Sequence, residues 1–193
     1  LGLKEDKDAL LIGMVSRLTF QKGAELLLNT YSKILEKNVQ IAILGTGEER
    51  FESGFRYMEE HNKGKAVYYN GYNDALAHEF YGGLDILMMP SLFEPCGISQ
   101  LIAMRYGTLP LVRETGGLKD TVEPFNEFDQ TGRGFSFGPY NADDMLKVLD
   151  IALDVYENRY KDFEMLITNA MKYDVSFDTS ARKYEDLYKK LTD

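Results

Sequence analysis

The sequence predicts an α/β fold: a doubly wound parallel sheet of about six strands, followed by C-terminal helices. Two observations carry this expectation. Short apolar runs of strand length alternate with amphipathic segments of helical period from residue 10 to about residue 140. Polar, often glycine-bearing turns follow the apolar runs at once. In an open parallel sheet such turns lie at the carboxyl ends of the strands, where ligands bind. With 193 residues, 44% of them hydrophobic, the chain has enough apolar material for one domain with a substantial core.

The elements follow in order. Leu10 to Ser16 reads as a buried strand that ends in Arg17-Leu18-Thr19-Phe20-Gln21-Lys22-Gly23. A helix from about Ala24 to Lys37 carries Leu26, Leu27, Tyr31, Ile34 and Leu35 as its apolar stripe. Val39 to Leu44 is a second strand, followed by Gly45-Thr46-Gly47 and a polar helix bearing Phe51, Phe55 and Met58. Ala66 to Tyr69 is a third, leading through Gly71-Tyr72 into a helix from Asp74 to about Tyr81. Asp74 is the expected N-cap, and Gly82-Gly83 the expected helix end. Ile86 to Met89 and Leu109 to Val112 are the fourth and fifth strands, and Thr131 to Phe137 a loop feeding a short sixth. The remainder is helical: a run starting at Asn141, then Phe163 to Tyr173, then Asp178 to Leu191 with Ala181, Tyr184, Leu187 and Tyr188 along one face.

The stretch from Pro90 to Gly117 holds the densest chemistry. A polar elbow, Ser91 to Glu94, follows the fourth strand, and a helix with Ile98, Leu101, Ile102 and Met104 at helical spacing comes next. Thr115-Gly116-Gly117 follows the fifth strand and opens another helix. Helix N-termini present unpaired N–H groups that suit an anion, and glycine lets a phosphate approach the backbone. Glu94 has the opposite preference, because a carboxylate accepts hydrogen bonds from sugar hydroxyls and repels phosphate. Together these features point to a nucleotide-linked substrate.

Composition excludes several classes. The net charge of −9 argues against a general nucleic-acid or membrane-surface role, so any phosphate site must be local. The single cysteine, Cys96, cannot form an internal disulfide, which fits a reducing cytoplasmic setting. No apolar run approaches the roughly 20 residues that span a bilayer, and no signal pattern stands at the start. The chain opens on Leu1 almost directly before a strand, which suggests a piece of a longer polypeptide.

Arg17 and Lys22, five residues apart after the first strand, can both reach the sheet's carboxyl edge and neutralise a diphosphate. From spacing alone, two solvated loop cations remain the simpler reading. Gly45-Thr46-Gly47 lacks the third glycine of a dinucleotide fingerprint, since Arg50 stands in its place, and no P-loop pattern occurs. His61 and His78 have no metal-ligand partner at useful spacing. His78 is expected to pack within its helix, and Cys96 to be a small buried residue. Tyr72, just past a strand end, is placed to stack on a base or to fill core.

Taken together, Ser16-Arg17-Leu18-Thr19, Gln21-Lys22-Gly23, Pro90-Ser91, Phe93 to Gly97, Gln100-Leu101, Tyr106 to Pro110 and Thr115 to Leu118 resemble the C-terminal half of bacterial glycogen synthases and plant starch synthases. The likeness runs in order over nearly the whole chain. It implies one Rossmann-like, nucleotide-sugar-binding half of a two-domain type B glycosyltransferase. That family transfers glucose from ADP-glucose to the non-reducing end of an α-1,4-glucan with retention and no catalytic metal. By this resemblance Arg17, Lys22 and Glu94 are the catalytic set, the two cations holding the donor diphosphate and Glu94 standing beside the donor sugar. Tyr72 would pack on the adenine, the backbone at Cys96 and Gly97 would meet sugar hydroxyls, and Ser99 would mark the phosphate-facing helix N-terminus. Thr115 and Gly116 would border the same pocket.

The resemblance also implies no cofactor and no metal, a cytoplasmic location (a plastid in a plant), and an α-glucan acceptor held by an N-terminal domain that is absent here. Leu92 and Glu114 stand where the family commonly has arginine. Ile102 stands where many related glycosyltransferases carry a second glutamate, which favours the glycogen synthase branch. A UDP-sugar enzyme of the same fold and a non-catalytic nucleotide-binding module stay open as alternatives.

Overall fold

In the computed structural model, which describes residues 1–192, six strands form one sheet. They are β1 (Leu10–Val15), β2 (Val39–Gly45), β3 (Ala66–Asn70), β4 (Ile86–Met89), β5 (Leu109–Arg113) and β6 (Phe135–Phe137). Their spatial order is β3-β2-β1-β4-β5-β6, and every pair runs parallel. The helices are α1 (Ala24–Leu35), α2 (Glu49–His61), α3 (Asp74–Gly83), α4 (Ser99–Tyr106), α5 (Gly116–Thr121), α6 (Ala142–Asn158), α7 (Tyr160–Lys172) and α8 (Phe177–Thr192).

Both sheet faces are covered, which is why β2 is apolar at nearly every position rather than alternating. Ile12, Ile41 and Ile86 stand side by side in register and share one face with Met14, Ile43 and Met88. That face packs on α1, α2, α6 and α7 through Leu27, Phe55, Leu149 and Leu166. Ala42, Leu44 and Leu87 point the other way, toward Phe80 and Tyr81 of α3 and Ala103 of α4. Each fully buried Leu, Ile or Phe contributes about 1.5–3 kcal/mol, so the two-sided core rather than helix propensity holds the elements in place.

The strand order fixes the site. The chain winds from β1 outward to β3, then returns to β4 on the other side of β1. The turns after β1 and β4 therefore flank a topological switch point, and residues far apart in sequence meet there.

Two local expectations are corrected. The N-cap of α3 is Asn73, not Asp74: its backbone is extended and its Oδ1 accepts from the Leu76 N–H at 3.0 Å. Asn and Asp cap equally well, and the choice went to the residue left outside the helical backbone. Gly82 and Gly83 lie inside the last turn of α3, and the cap is Leu84 in an extended conformation.

The last helix, α8, buries none of its side chains. Tyr184, Leu187 and Tyr188 are all exposed along one face, so nothing among the described residues covers that stripe.

Candidate functional site

The turn after β1 is shaped first. Leu18 N–H donates to the Thr46 carbonyl at 2.9 Å, so the chain beyond β1 still pairs with the chain beyond β2. Gly45 and Gly47 are required at this point, because a Cβ on either would collide with the Ser16 or Leu18 carbonyl. The Gly45-Thr46-Gly47 turn is thus a close-approach device. Glu52 locks it from α2: its carboxylate accepts from Thr46 Oγ1 at 2.6 Å, from the Gly47 N–H at 2.8 Å and from Asn70 Nδ2 at 2.9 Å. Those hydrogen bonds, led by Thr46 and Gly47, hold the Glu52 carboxyl down at about 2.

Past this point Arg17 is exposed, and among the described residues no acceptor reaches its guanidinium. A short 3-10 turn, Phe20–Lys22, then closes on Gly23 at φ 77°. A Cβ at Gly23 would strike the Pro90 carbonyl, so glycine is what lets the β1 turn lie against the β4 turn.

The two turns are stitched together. Leu92 N–H donates to the Gln21 carbonyl at 2.9 Å, and Gln21 Nε2 donates to the Phe93 carbonyl at 3.2 Å. Arg113, at the end of β5, donates to the Leu92 carbonyl at 2.8 Å and lies over the Tyr140 ring. Tyr140 in turn donates to the Phe20 carbonyl at 3.3 Å. The outcome is a direct ion pair between Lys22 Nζ and Glu94 Oε2, 72 positions apart in sequence. Glu94 is 7% exposed, so its carboxylate is held nearly out of water with the ammonium as its partner.

Beyond Glu94 the chain turns through Cys96 and Gly97 (φ 73°) into α4. Cys96 is an exposed free thiol, contrary to the expectation of a buried small residue, because Pro95 and Gly97 turn the chain outward around it. Gly116 and Gly117 open α5 against this same loop: a Cβ on either would collide with the Glu94 or Cys96 carbonyl. Thr115 is the residue just before α5 and caps nothing with its side chain.

Beside the switch point lies a cleft of about 300 Å³ whose walls include Arg17, Thr46, Tyr72, Asn73, His78 and Ser99. The Tyr72 ring is 86% exposed at its mouth. Ser99 Oγ accepts from Tyr81 OH at 3.2 Å, and burial pushes the Tyr81 phenol up. His78 does not pack only within its helix. It is exposed, and its Nδ1 lies 3.0 Å from the Tyr106 hydroxyl of α4.

The structure therefore groups Arg17, Tyr72 and Ser99 around the cleft, and Lys22, Glu94, Cys96, Gly97, Thr115 and Gly116 along the adjoining turns. A larger groove of about 940 Å³ lies elsewhere, between the loop before β6 and α6, with Phe128 and Ile151 exposed on it. Its Arg159 is already paired with Glu127 and Asp162, so it offers no unpaired cation to an anionic ligand. Among the described residues no three His, Cys, Asp or Glu side chains are grouped to hold a metal ion. Likewise, no helix is long and apolar enough to cross a membrane.

A doubly wound parallel sheet in this strand order is a Rossmann-like α/β domain, here with a cationic turn and an acid at its switch point. Residues 2–172 match the family described as glycosyl transferases group 1, and the chain belongs to that family. It is 49% identical over 191 residues to a glycogen synthase of Lachnospira eligens, and 47% identical over 192 residues to one of Clostridium beijerinckii. These alignments cover 99% and 100% of this chain but 40% of each relative, so the chain spans about two fifths of their length. Among solved structures, the catalytic domain of starch synthase IV from Arabidopsis thaliana, bound to ADP and acarbose, superposes with a TM-score of 0.88. It shares 32% identity, over 98% of this chain and 40% of that one.

Proposed function

We propose that this chain is the donor-binding domain of a retaining glucosyltransferase that moves glucose from ADP-glucose to the non-reducing end of an α-1,4-glucan. The observation that carries the reading is the Lys22–Glu94 pair at the switch point, beside the cleft that Arg17 and Tyr72 line. Similarity to glycogen synthases over the whole chain supports a glucan-building enzyme, and similarity to a starch synthase solved with ADP supports adenine as the base.

In this reading the bond between glucose C1 and the diphosphate oxygen breaks, ADP leaves with the bonding electrons, and the acceptor hydroxyl forms the new C1–O bond on the same face while its proton passes to the departing diphosphate oxygen. Negative charge grows on the leaving diphosphate. Arg17 and Lys22 lie where that charge develops, and preorganised cations lower the barrier there without reorganising. Lys22 has three N–H donors, so it can keep Glu94 and still meet a phosphate oxygen. Glu94, fixed by that contact, presents its other oxygen to sugar hydroxyls. Tyr72 offers an open ring face to the adenine, and Ser99 opens the helix that faces the phosphates. No metal enters this chemistry, because the two cations supply the charge.

The glucan would be held by a second domain facing this edge, and the exposed stripe of α8 fits a helix that packs beyond its own domain. One wall of a cleft cannot hold both substrates in register, so the chain alone is expected to bind donor without elongating glycogen. The test is calorimetric titration with ADP-glucose and UDP-glucose, together with glucose incorporation into glycogen. Tighter binding of ADP-glucose without incorporation is the expected result. A clear preference for UDP-glucose overturns the donor assignment, and glycogen elongation by the chain alone overturns the half-site reading.

A further inference from the structure

Gln100 is fully buried, yet it is the second residue of α4, the helix that opens beside the site. Burying a primary amide is costly unless its polar atoms are paired. Here the two N–H groups of Nε2 are shared among the Cys96 carbonyl at 3.1 Å, the Gly97 carbonyl at 3.1 Å and Thr121 Oγ1 at 3.2 Å. Its Oε1 has no partner and is aimed at Gly97, where a Cβ would lie 2.5 Å from it. Thr121 passes the restraint on, donating to the Gly117 carbonyl at 2.6 Å, while the Gly117 N–H donates to the Pro95 carbonyl at 3.1 Å. The loop from Pro95 to Gly97 is thus clamped between one buried amide and the start of α5.

In a planar trans peptide the C=O and the N–H point in opposite directions. The Cys96 carbonyl shares its peptide with the Gly97 N–H, and the Gly97 carbonyl with the Ile98 N–H. Drawing both carbonyls inward onto Nε2 therefore turns both N–H groups outward. Neither N–H has a protein acceptor among the described residues. Consecutive N–H groups held in this way form a nest for ligand oxygens.

We infer that Gln100 is a positioning residue: it fixes the Cys96 and Gly97 peptides so that the Gly97 and Ile98 N–H groups stand as paired donors to hydroxyls of the bound sugar. The inference rests on the donor-binding reading above. It assigns Gln100 a role in recognising the sugar rather than the diphosphate, because Arg17 and Lys22, the cations proposed for the phosphates, stand on the turn after β1 and none of the hydrogen bonds of Gln100 reaches them.

The test compares Gln100→Glu and Gln100→Met with the unaltered chain. Both keep the side chain's length and remove the amide donor. Three quantities are read: cooperative thermal unfolding, backbone ¹⁵N order parameters without ligand, and calorimetric affinities for ADP and ADP-glucose. The expected result is a folded variant in which order at Gly97 and Ile98 falls from about 0.85 to below about 0.6. ADP-glucose binding weakens about ten-fold, as for loss of one or two hydrogen bonds, and ADP binding changes less than about two-fold. A purely structural role would lower the two affinities alike.

Unchanged loop order overturns the inference, as does lowered order with an unchanged ADP-glucose to ADP ratio. Failure of both variants to fold makes Gln100 a stability residue and overturns it too. If the unaltered chain binds neither nucleotide, the donor reading fails and takes the inference with it. That failure is distinguishable, because it is seen before any substitution is made.

Discussion

The Lys22–Glu94 pair gives the most quantitative handle on the site. The two side chains are 19% and 9% exposed, between the limits of a surface pair and a fully buried one. Removing one partner of a buried pair costs about 3–5 kcal/mol, and an exposed pair is worth about 0–1 kcal/mol. Lys22→Met, which leaves Glu94 without its cation, is therefore expected to cost about 2 kcal/mol, or about 4–8 °C in Tm for a domain of this size. Glu94→Gln should cost less, because an ammonium with 19% exposure can turn to water. The double variant should lie closer to the unaltered chain than Lys22→Met does, with a coupling energy of about 1–2 kcal/mol. Urea unfolding of all four proteins measures this. Strictly additive effects, with coupling below about 0.3 kcal/mol, would refute the pairing. In the same proteins Lys22→Ala or Lys22→Met should weaken ADP by about 1–3 kcal/mol, and an unchanged dissociation constant would remove Lys22 from the site.

Three further outcomes are expected. The Glu52 carboxyl lies at about 2 in the folded chain against an ordinary 4.5, so its stabilisation is complete above about pH 4.5 and is lost as pH falls toward about 2. Asp144 and Asp174 are also lowered, so the residue-specific reading is that Glu52→Gln flattens, without abolishing, the loss of urea midpoint over that window. Tyr72→Ala should leave the unfolding free energy within about 0.5 kcal/mol of the unaltered chain's, since the ring is 86% exposed, yet weaken ADP by about 1–3 kcal/mol in calorimetry. Removing Phe177–Thr192 should change the urea unfolding free energy by less than about 0.5 kcal/mol, because α8 buries no side chain here; a larger loss would place its partner inside this domain.

Much of the fold was legible in the sequence because each strand is a short apolar run and each helix carries a stripe of the right period. β1, β2 and β4 were found within a residue of their ends, as was the start of α6, where Asn141 caps through the Asp144 N–H at 2.8 Å. Two expectations failed beyond the local backbone: α7 starts at Tyr160 rather than Phe163, and His78 meets Tyr106 of a neighbouring helix; the rest were local. Asn73 and Asp74 are equivalent as chemistry, and only the backbone tells which one lies outside the helix. Cys96 is exposed because of the turn around it, which residue type alone does not specify.

What stayed hidden depends on contacts between distant strands. Glu52 meets Asn70 because β2 and β3 pair in register, and nothing in the spacing marks that glutamate from Glu49 or Glu59. Arg113 reaches the Leu92 carbonyl because β5 lies beside β4. Gln100 was noticed as part of a recurring string, but its inward direction needed the helix in place. Glu114 stands where the family commonly has arginine; the fold adds that Lys119 lies 3.5 Å from its carboxylate and that Ser136 donates to it at 3.0 Å.

The most direct measurement is a crystal structure of the chain soaked with ADP. The diphosphate is expected between Arg17 and Lys22, with the adenine ring against Tyr72 in the cleft beside the β1–β4 switch point. Nucleotide density in the groove near Phe128 and Arg159, or none at saturating ADP, would contradict the donor-binding account.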